Sequence, residues 1–400
     1  MIHLFINALA ASAGGGLTYV RNVVPHLAAR EDVRTTLLVD GPIYGEVKRS
    51  ARIAVVHGPG LTSSARRFWF EQRSMPGMIR RTGANVLLST GNFALYRSPV
   101  PQILLSRNAL YSSADFSRDL RQRGDYRLWL DTEVKGALAK WSIRAADRTV
   151  APSRAFADQL KLWTGWDVAC IPHGFDQQAF FGDGPPLPPL VHAKFSATEG
   201  YLRLLFVSHY NYYRNFETLI RAIALLKEQL HPRKVRLILT CRLSSKENPG
   251  EYRADGAADL ARQLGLGDEI VELGAVSYAS LHHLYRECDF YVTPAYAETF
   301  AHPLVEAMAS GLPVIASDLP VHREICGRAA LYFPRFSACA LARRVREASE
   351  SPELRETMRT TGSRRSQDFS WSSHVNELLA LAQRLCGEPH EILGAHVAQK

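Results

Sequence analysis

The chain has 400 residues, 46% hydrophobic and 22% charged, with a formal net charge of +9. That length calls for two domains, and the composition excludes disordered and fibrous classes. No run of about 20 apolar residues occurs to span a membrane, and the six scattered cysteines form no C-x-x-C pair of the kind that holds zinc.

The chain opens on His3-Leu4-Phe5-Ile6-Asn7, a buried-strand pattern. The glycine turn Gly14-Gly15-Gly16 follows, then an amphipathic helix expected over residues 17–30. The opening residues have no basic leader region, and the expectation is a cytoplasmic protein. Further strands are expected at 35–39, 53–56, 86–88, 102–105 and 148–151, alternating with helical patterns, which makes a parallel sheet. The basic excess of the whole chain lies in this first half. Its densest part, residues 65–81, sets Arg66, Arg67, Arg73, Arg80 and Arg81 among Phe68, Trp69, Phe70, Met75 and Met78. A membrane-surface element and an ordinary helix with a solvated basic face both fit that pattern.

The Pro/Gly-rich stretch 181–189 reads as a linker. The alternation then restarts, with strands expected at 202–208, 235–240, 270–273, 289–293 and 314–316. Helices are expected at 216–229, 257–264, 281–286 and 304–310. A last helix over 370–385 carries Trp371, Val375, Leu378, Ala382 and Leu385 at helical spacing. The expected divisions are 1–180, a linker 181–195, 196–369, and a tail 370–400. Near-continuous apolar runs mark strands buried on both faces. The fold class is therefore α/β, two doubly wound Rossmann-like domains facing across a cleft, with ligands at the carboxyl ends of the strands.

The most informative segment runs from Thr293 to Asp318 as strand, loop, helix, turn and strand. Pro303 suits the first helical position. The backbone N–H groups of Phe300, Ala301 and His302 then lie at a helix start, which is an anion site suited to a diphosphate. Glu306 falls in the first turns, where one carboxylate can accept two ribose hydroxyls, and Glu298, in the preceding loop, can face a sugar.

This segment resembles the family 4 glycosyltransferases of the GT-B fold. Their signature matches here at Glu298, Phe300, Pro303, Glu306, Ala307, Met308, Ala309, Gly311, Pro313, Val314, Ile315, Ala316 and Ser317. It departs at Thr299 and Ala301, where the family has glycine. Elsewhere Gly14-Gly15-Gly16 is similar to the family's phosphate-approaching glycine turn. Ile171-Pro-His-Gly-Phe-Asp176 resembles I-P-N-G-V-D, with His173 for asparagine. Residues 207–215 align with V-G-R-L-x-x-x-K-G, placing Arg214 at the lysine and His209 at the arginine. The histidine that many members carry in the first domain is absent, and Arg107 and Asn108 stand in its region.

The resemblance implies retaining transfer of a hexose-type sugar from a nucleoside-diphosphate sugar to a glycan or lipid-linked acceptor in envelope or exopolysaccharide biosynthesis. It implies a catalytic set of Glu298, Arg214 and Asn108. The donor set is Gly15, Gly16, His173, His209, Phe300, Ala301, His302 and Glu306. It also implies that the last helix crosses back to the first domain. No Asp-x-Asp motif is present, so no metal and no other cofactor is expected. Expected partners are the donor, the acceptor and an anionic membrane touched peripherally at the inner face of the plasma membrane; nucleic acid is not among them. Two other readings stay open, a non-catalytic nucleotide-sugar binder and a sugar-nucleotide epimerase.

Overall fold

A computed structural model describes residues 1–11, 14–47, 53–182, 184–245, 247–248 and 252–387. The chain divides into two units. The first comprises Met1–Ser112, Leu130–Gly174 and the segment from Ser370; the second comprises Ser113–Trp129 and Phe175–Phe369.

The first unit is built on seven strands: β1 (Ile2–Asn7), β2 (Val33–Val39), β3 (Ile53–His57), β4 (Val86–Ser89), β5 (Gln102–Leu105), β6 (Arg148–Ala151) and β7 (Ala169–Cys170). They pair in the order β3-β2-β1-β4-β5-β6-β7, and every pairing is parallel. Strand β1 shows why its run is apolar throughout. Leu4 and Ile6 point into one core, with Val20, Val23 and Leu37, while Phe5 points into another, with Met75, Ile79 and Leu87. Trp371, Val375, Leu378, Ala382 and Leu385 of the last helix, Trp371–Gly387, complete the first of these cores. The crossing-back expected of that helix is therefore observed. The direction of the chain reverses about β1 and β4, so the first unit has its switch point at their carboxyl ends.

The second unit repeats the plan with β8 (Leu202–Phe206), β9 (Val235–Leu239), β10 (Ile270–Glu272), β11 (Phe290–Thr293), β12 (Val314–Ser317) and β13 (Ala330–Phe333), in the parallel order β10-β9-β8-β11-β12-β13. Here the switch point lies between β8 and β11.

Three expectations are corrected. The first helix begins at Gly14, so the three glycines form its opening turn instead of preceding it. The stretch expected as a linker contains part of a helix, Pro189–Ser196, started by proline at its first positions; Asp183 lies outside the described residues. Residues 113–129 belong to the second unit although they sit mid-way through the expected first domain. Their helix, Ala114–Gln122, is held there by Arg123, which reaches Glu217 at 2.8 Å, and by Asp119, which accepts from the Tyr296 hydroxyl at 2.6 Å. Among the described residues no helix is long and apolar enough to cross a membrane.

Candidate functional site

In the second unit the loops after β8 and β11 meet at the switch point. Asn215 adopts a left-handed conformation (φ 57°, ψ 48°) and its side-chain amide donates to the Pro294 carbonyl at 3.1 Å. The Tyr296 amide donates to the Tyr213 carbonyl at 2.9 Å. These two bonds fasten one loop to the other and so fix Arg214 against Glu298.

The Arg214 guanidinium forms an ion pair with Glu298 Oε2, while Glu298 Oε1 accepts from the Thr299 amide at 3.0 Å. Both carboxylate oxygens are thus engaged, and the pair is mostly buried. Burial opposes the charge on Glu298, but Arg214 and the Thr299 N–H outweigh it and hold the carboxyl below its ordinary range. Arg214 is held cationic in turn: burial works against its charge and Glu298 overcomes that. His322, fully buried behind them, donates through Nδ1 to the Ser317 carbonyl, 3.0 Å away, and burial lowers its pKa to about 4. It is a neutral imidazole beside an ion pair, and no sequence motif pointed to it.

After Glu298 the chain turns into the helix His302–Ala309. Ala301 makes the turn in the left-handed region, φ 65° and ψ 63°, and no side chain caps the helix. Glycine is the residue that enters that region freely, so the family's glycine at 301 has a backbone reason. Phe300 anchors the turn from below, 1% exposed, with its ring 5.4 Å from Phe369 and 4.8 Å from His302. Its contribution to a ligand site is its backbone, since its ring is spent on the core. His302 opens the helix and Pro303 follows it, one position later than the sequence reading placed the proline.

Glu306 lies on the buried face of this helix, 4% exposed. The Tyr285 hydroxyl donates to its Oε2 at 2.8 Å. Burial raises the carboxyl pKa to about 7, and the tyrosine bond offsets only part of that. His209 is exposed on the loop after β8. Partial enclosure, and then the Arg214 charge, push its pKa below the ordinary imidazole value. Asn211, its neighbour, donates to the His209 carbonyl at 3.3 Å.

The remaining predicted residues lie in the first unit. Gly15 and Gly16 are in the opening turn of Gly14–Ala28. Asn108 uses its side-chain oxygen to accept from the Leu110 amide at 3.0 Å, which starts the short turn Ala109–Ser112. Arg107, beside it, reaches the Gly15 carbonyl at 2.8 Å and the Thr90 carbonyl at 2.7 Å. His173 is only 4% exposed and sits among the rings of Tyr19, Trp371 and His374, each 5.3–5.5 Å away. A Cβ on Gly174 would come within 2.0 Å of the Trp371 amide nitrogen, so this motif also marks where the last helix docks. Among the described residues no group of three or more His, Cys, Asp or Glu could hold a metal ion.

The family described as Glycosyltransferase Family 4 matches residues 13–179, and Glycosyl transferases group 1 matches residues 190–365. A D-inositol 3-phosphate glycosyltransferase of Streptomyces coelicolor is 26% identical over 247 residues, 58% of this chain and 54% of that protein. The chain thus spans about half the length of the curated relatives it matches. An uncharacterised glycosyltransferase of Methanocaldococcus jannaschii is 34% identical over 116 residues, 29% of this chain and 27% of that protein. Among solved structures, a sucrose-phosphate synthase of Thermosynechococcus elongatus superposes with a TM-score of 0.75 at 18% identity, covering 97% of this chain and 99% of that one. HepE of Anabaena, solved with UDP-glucose, gives 0.69 at 17% identity, covering 96% and 100%. At such identities these two report on the fold alone, and the fold is GT-B. With one family match on each half of the chain and the glutamate pair in place, the chain belongs to the family 4 glycosyltransferases.

Proposed function

We propose that the chain is a retaining, metal-independent glycosyltransferase that moves a hexose-type sugar from a nucleoside-diphosphate sugar to a glycan or lipid-linked acceptor. The observation that carries this is the buried Arg214–Glu298 pair, set one loop away from the buried Glu306. A guanidinium pre-aimed in a low-dielectric site neutralises charge on a leaving diphosphate without reorganising. Glu298, kept ionised, holds sugar hydroxyls and favours positive charge developing at the anomeric carbon. Glu306 takes the ribose hydroxyls. In the step itself the C1–O bond to phosphate breaks and the bond from C1 to the acceptor oxygen forms on the same face. The acceptor's proton goes to the departing phosphate oxygen.

The glycosyltransferase names of the curated relatives agree with sugar transfer, and the UDP-glucose complex of HepE favours a nucleotide-sugar donor. Work on envelope or exopolysaccharide glycan, at the cytoplasmic face of the plasma membrane, is part of the same proposal. It is supported by the basic helix Ser64–Thr82, whose Arg66, Arg73, Arg80 and Arg81 are exposed together with Trp69.

The test is thermal stability against UDP, GDP, ADP, dTDP and CMP, with and without EDTA, in the wild type and Glu306→Ala. A ligand of the folded state at 100 times its Kd adds about 2.7 kcal/mol. One nucleotide should raise the midpoint regardless of EDTA, and Glu306→Ala should abolish the rise. No shift with any nucleotide at millimolar concentration would overturn the proposal.

A further inference from the structure

The helix Tyr126–Ala145 carries the spacing of a packed helix on two opposite faces. From Leu130 onward it belongs to the first unit. Thr132, Gly136, Ala139 and Ile143, at intervals of 4, 3 and 4, are its buried face. On the far side Leu130, Val134, Ala137 and Trp141 recur at the same intervals and lie in solvent, with Leu130 58%, Val134 54% and Trp141 63% exposed.

A surface helix ordinarily has one apolar stripe and a polar face opposite. Intervals of 3 and 4 are those of a seam that packs into another helix. The apolar surface also continues beyond this helix. Trp166, 47% exposed, follows the neighbouring helix Arg154–Thr164, and the Arg144 guanidinium lies 5.8 Å from its ring centroid.

The charges around the stripe say what covers it. Glu133 and Lys140 each come directly before a seam residue, Val134 and Trp141, so both border the same edge. When two copies of one helix pack antiparallel, like edges meet. Setting Val134 opposite the partner's Ala137 also sets Leu130 opposite the partner's Trp141, because both pairings share a centre between Lys135 and Gly136. The same register places Glu133 beside the partner's Lys140, and a two-fold axis repeats each contact. The stripe is thus self-complementary in shape and in charge. An anionic bilayer is a poorer match, since Asp131 and Glu133 are exposed at the borders of the stripe.

We propose that the face made by Leu130, Val134, Ala137 and Trp141 docks on the same face of a second copy of this chain, antiparallel about a two-fold axis. A seam of about three turns belongs to the small interfaces, below about 1,200 Å², so self-association should depend on concentration. The proposal is independent of the transfer chemistry above.

Sedimentation velocity of the full chain, from micromolar to submillimolar concentration, reads the mass. The wild type should pass from monomer to dimer as concentration rises. Trp141→Asp should weaken the dimer by about 100-fold or more, because the two-fold axis removes two buried rings at once. The ring is exposed in the single chain, so the variant should melt as the wild type does when both are monomeric. Glu133→Lys and Lys140→Glu should each weaken the dimer by about 10-fold or more, through like charges brought together. An equimolar mixture of those two variants should dimerise again, since each supplies the charge that the other lacks. A wild type that stays monomeric at submillimolar concentration overturns the proposal, as does a dimer that Trp141→Asp leaves intact. A dimer whose charge variants are not rescued by mixing overturns the antiparallel register. A monomeric wild type that floats with phosphatidylserine vesicles, and loses this in Trp141→Asp, gives the face to lipid and overturns the proposal as well.

Discussion

Tyr285 donates to Glu306 Oε2 at 2.8 Å across 21 residues of sequence, and among the described residues it is the hydrogen bond that offsets the burial lifting this carboxyl's pKa to about 7. Ribose hydroxyls bind the ionised form best, so nucleotide affinity should rise as the pH passes through about 7. Stability runs the other way. A carboxyl raised on folding contributes stability that is full below its unfolded pKa and lost as the pH rises through about 7. Removing the tyrosine hydroxyl should lift the carboxyl further. Tyr285→Phe should therefore weaken nucleotide binding at neutral pH by about 10-fold, the size of a hydrogen bond to a charged group, and move the rise in affinity to higher pH. Calorimetric titration from about pH 5.5 to pH 8.5 checks both, with Glu306→Gln giving a flat profile.

The Arg214–Glu298 pair can be divided into structure and chemistry. Glu298→Gln leaves a mostly buried guanidinium without its counter-charge, which should cost about 3 kcal/mol of stability. The rate should fall roughly 100-fold as well. Arg214→Met together with Glu298→Leu removes both charges, so denaturant unfolding should show much of the lost stability returning while the rate stays down. A double variant as active as the wild type would remove the pair from the mechanism.

Parts of this arrangement were legible in the sequence for physical reasons. Strands buried on both faces read as unbroken apolar runs, and β1, β8, β11 and β12 were placed that way. Glu298 and Glu306 stand out in the sequence because strand, loop, proline and helix fix their spacing. Tyr285 was not found, since a tyrosine at core spacing looks the same whether its hydroxyl meets a carboxylate or nothing. The first helix begins three residues before the sequence pattern predicts, because glycine argues against helix locally and the packing of the rest of the helix overrides that. Phe116 and Leu120 announce that their helix buries a face, but nothing local says against which unit. His173 was read as a ligand contact from its motif; the structure places its ring in the Tyr19–Trp371–His374 cluster.

The two departures from the family signature should behave differently. Ala301 has φ 65°, where an L side chain costs roughly 1 kcal/mol, so Ala301→Gly should stabilise by about that amount. Ala301→Val should destabilise by more, because a branched side chain tolerates that region worse. Thr299 is outside the left-handed region. Thr299→Gly should then give no gain and lose a few tenths of a kcal/mol or more through the freer unfolded chain. Thermal melts of the three variants decide the matter, and equal behaviour at 299 and 301 would mean that the glycines serve the ligand alone.

The basic helix of the first unit makes the last prediction, and its inner face narrows the choice of residues. Glu71, Met75 and Ile79 turn inward, and Phe68 packs against Phe93 and Tyr96, so most of the aromatic and methionine content of residues 65–81 is unavailable to a bilayer. Trp69, 62% exposed, is the large apolar side chain left outside. Arg67 is also drawn in, with Nε 4.0 Å from the buried Glu71. The surface that could meet lipid is therefore Arg66, Trp69, Arg73, Arg80 and Arg81. Each basic residue near an anionic membrane adds about 1 kcal/mol. Replacing those four arginines with alanine should lower binding to phosphatidylserine vesicles at least 100-fold, while neutral vesicles show little binding before or after. Trp69→Ala should weaken binding in a way that added salt does not mimic, because its contribution is apolar. Sedimentation of the protein with each vesicle type measures both effects, and undiminished binding by the four-arginine variant would take the helix out of any membrane contact.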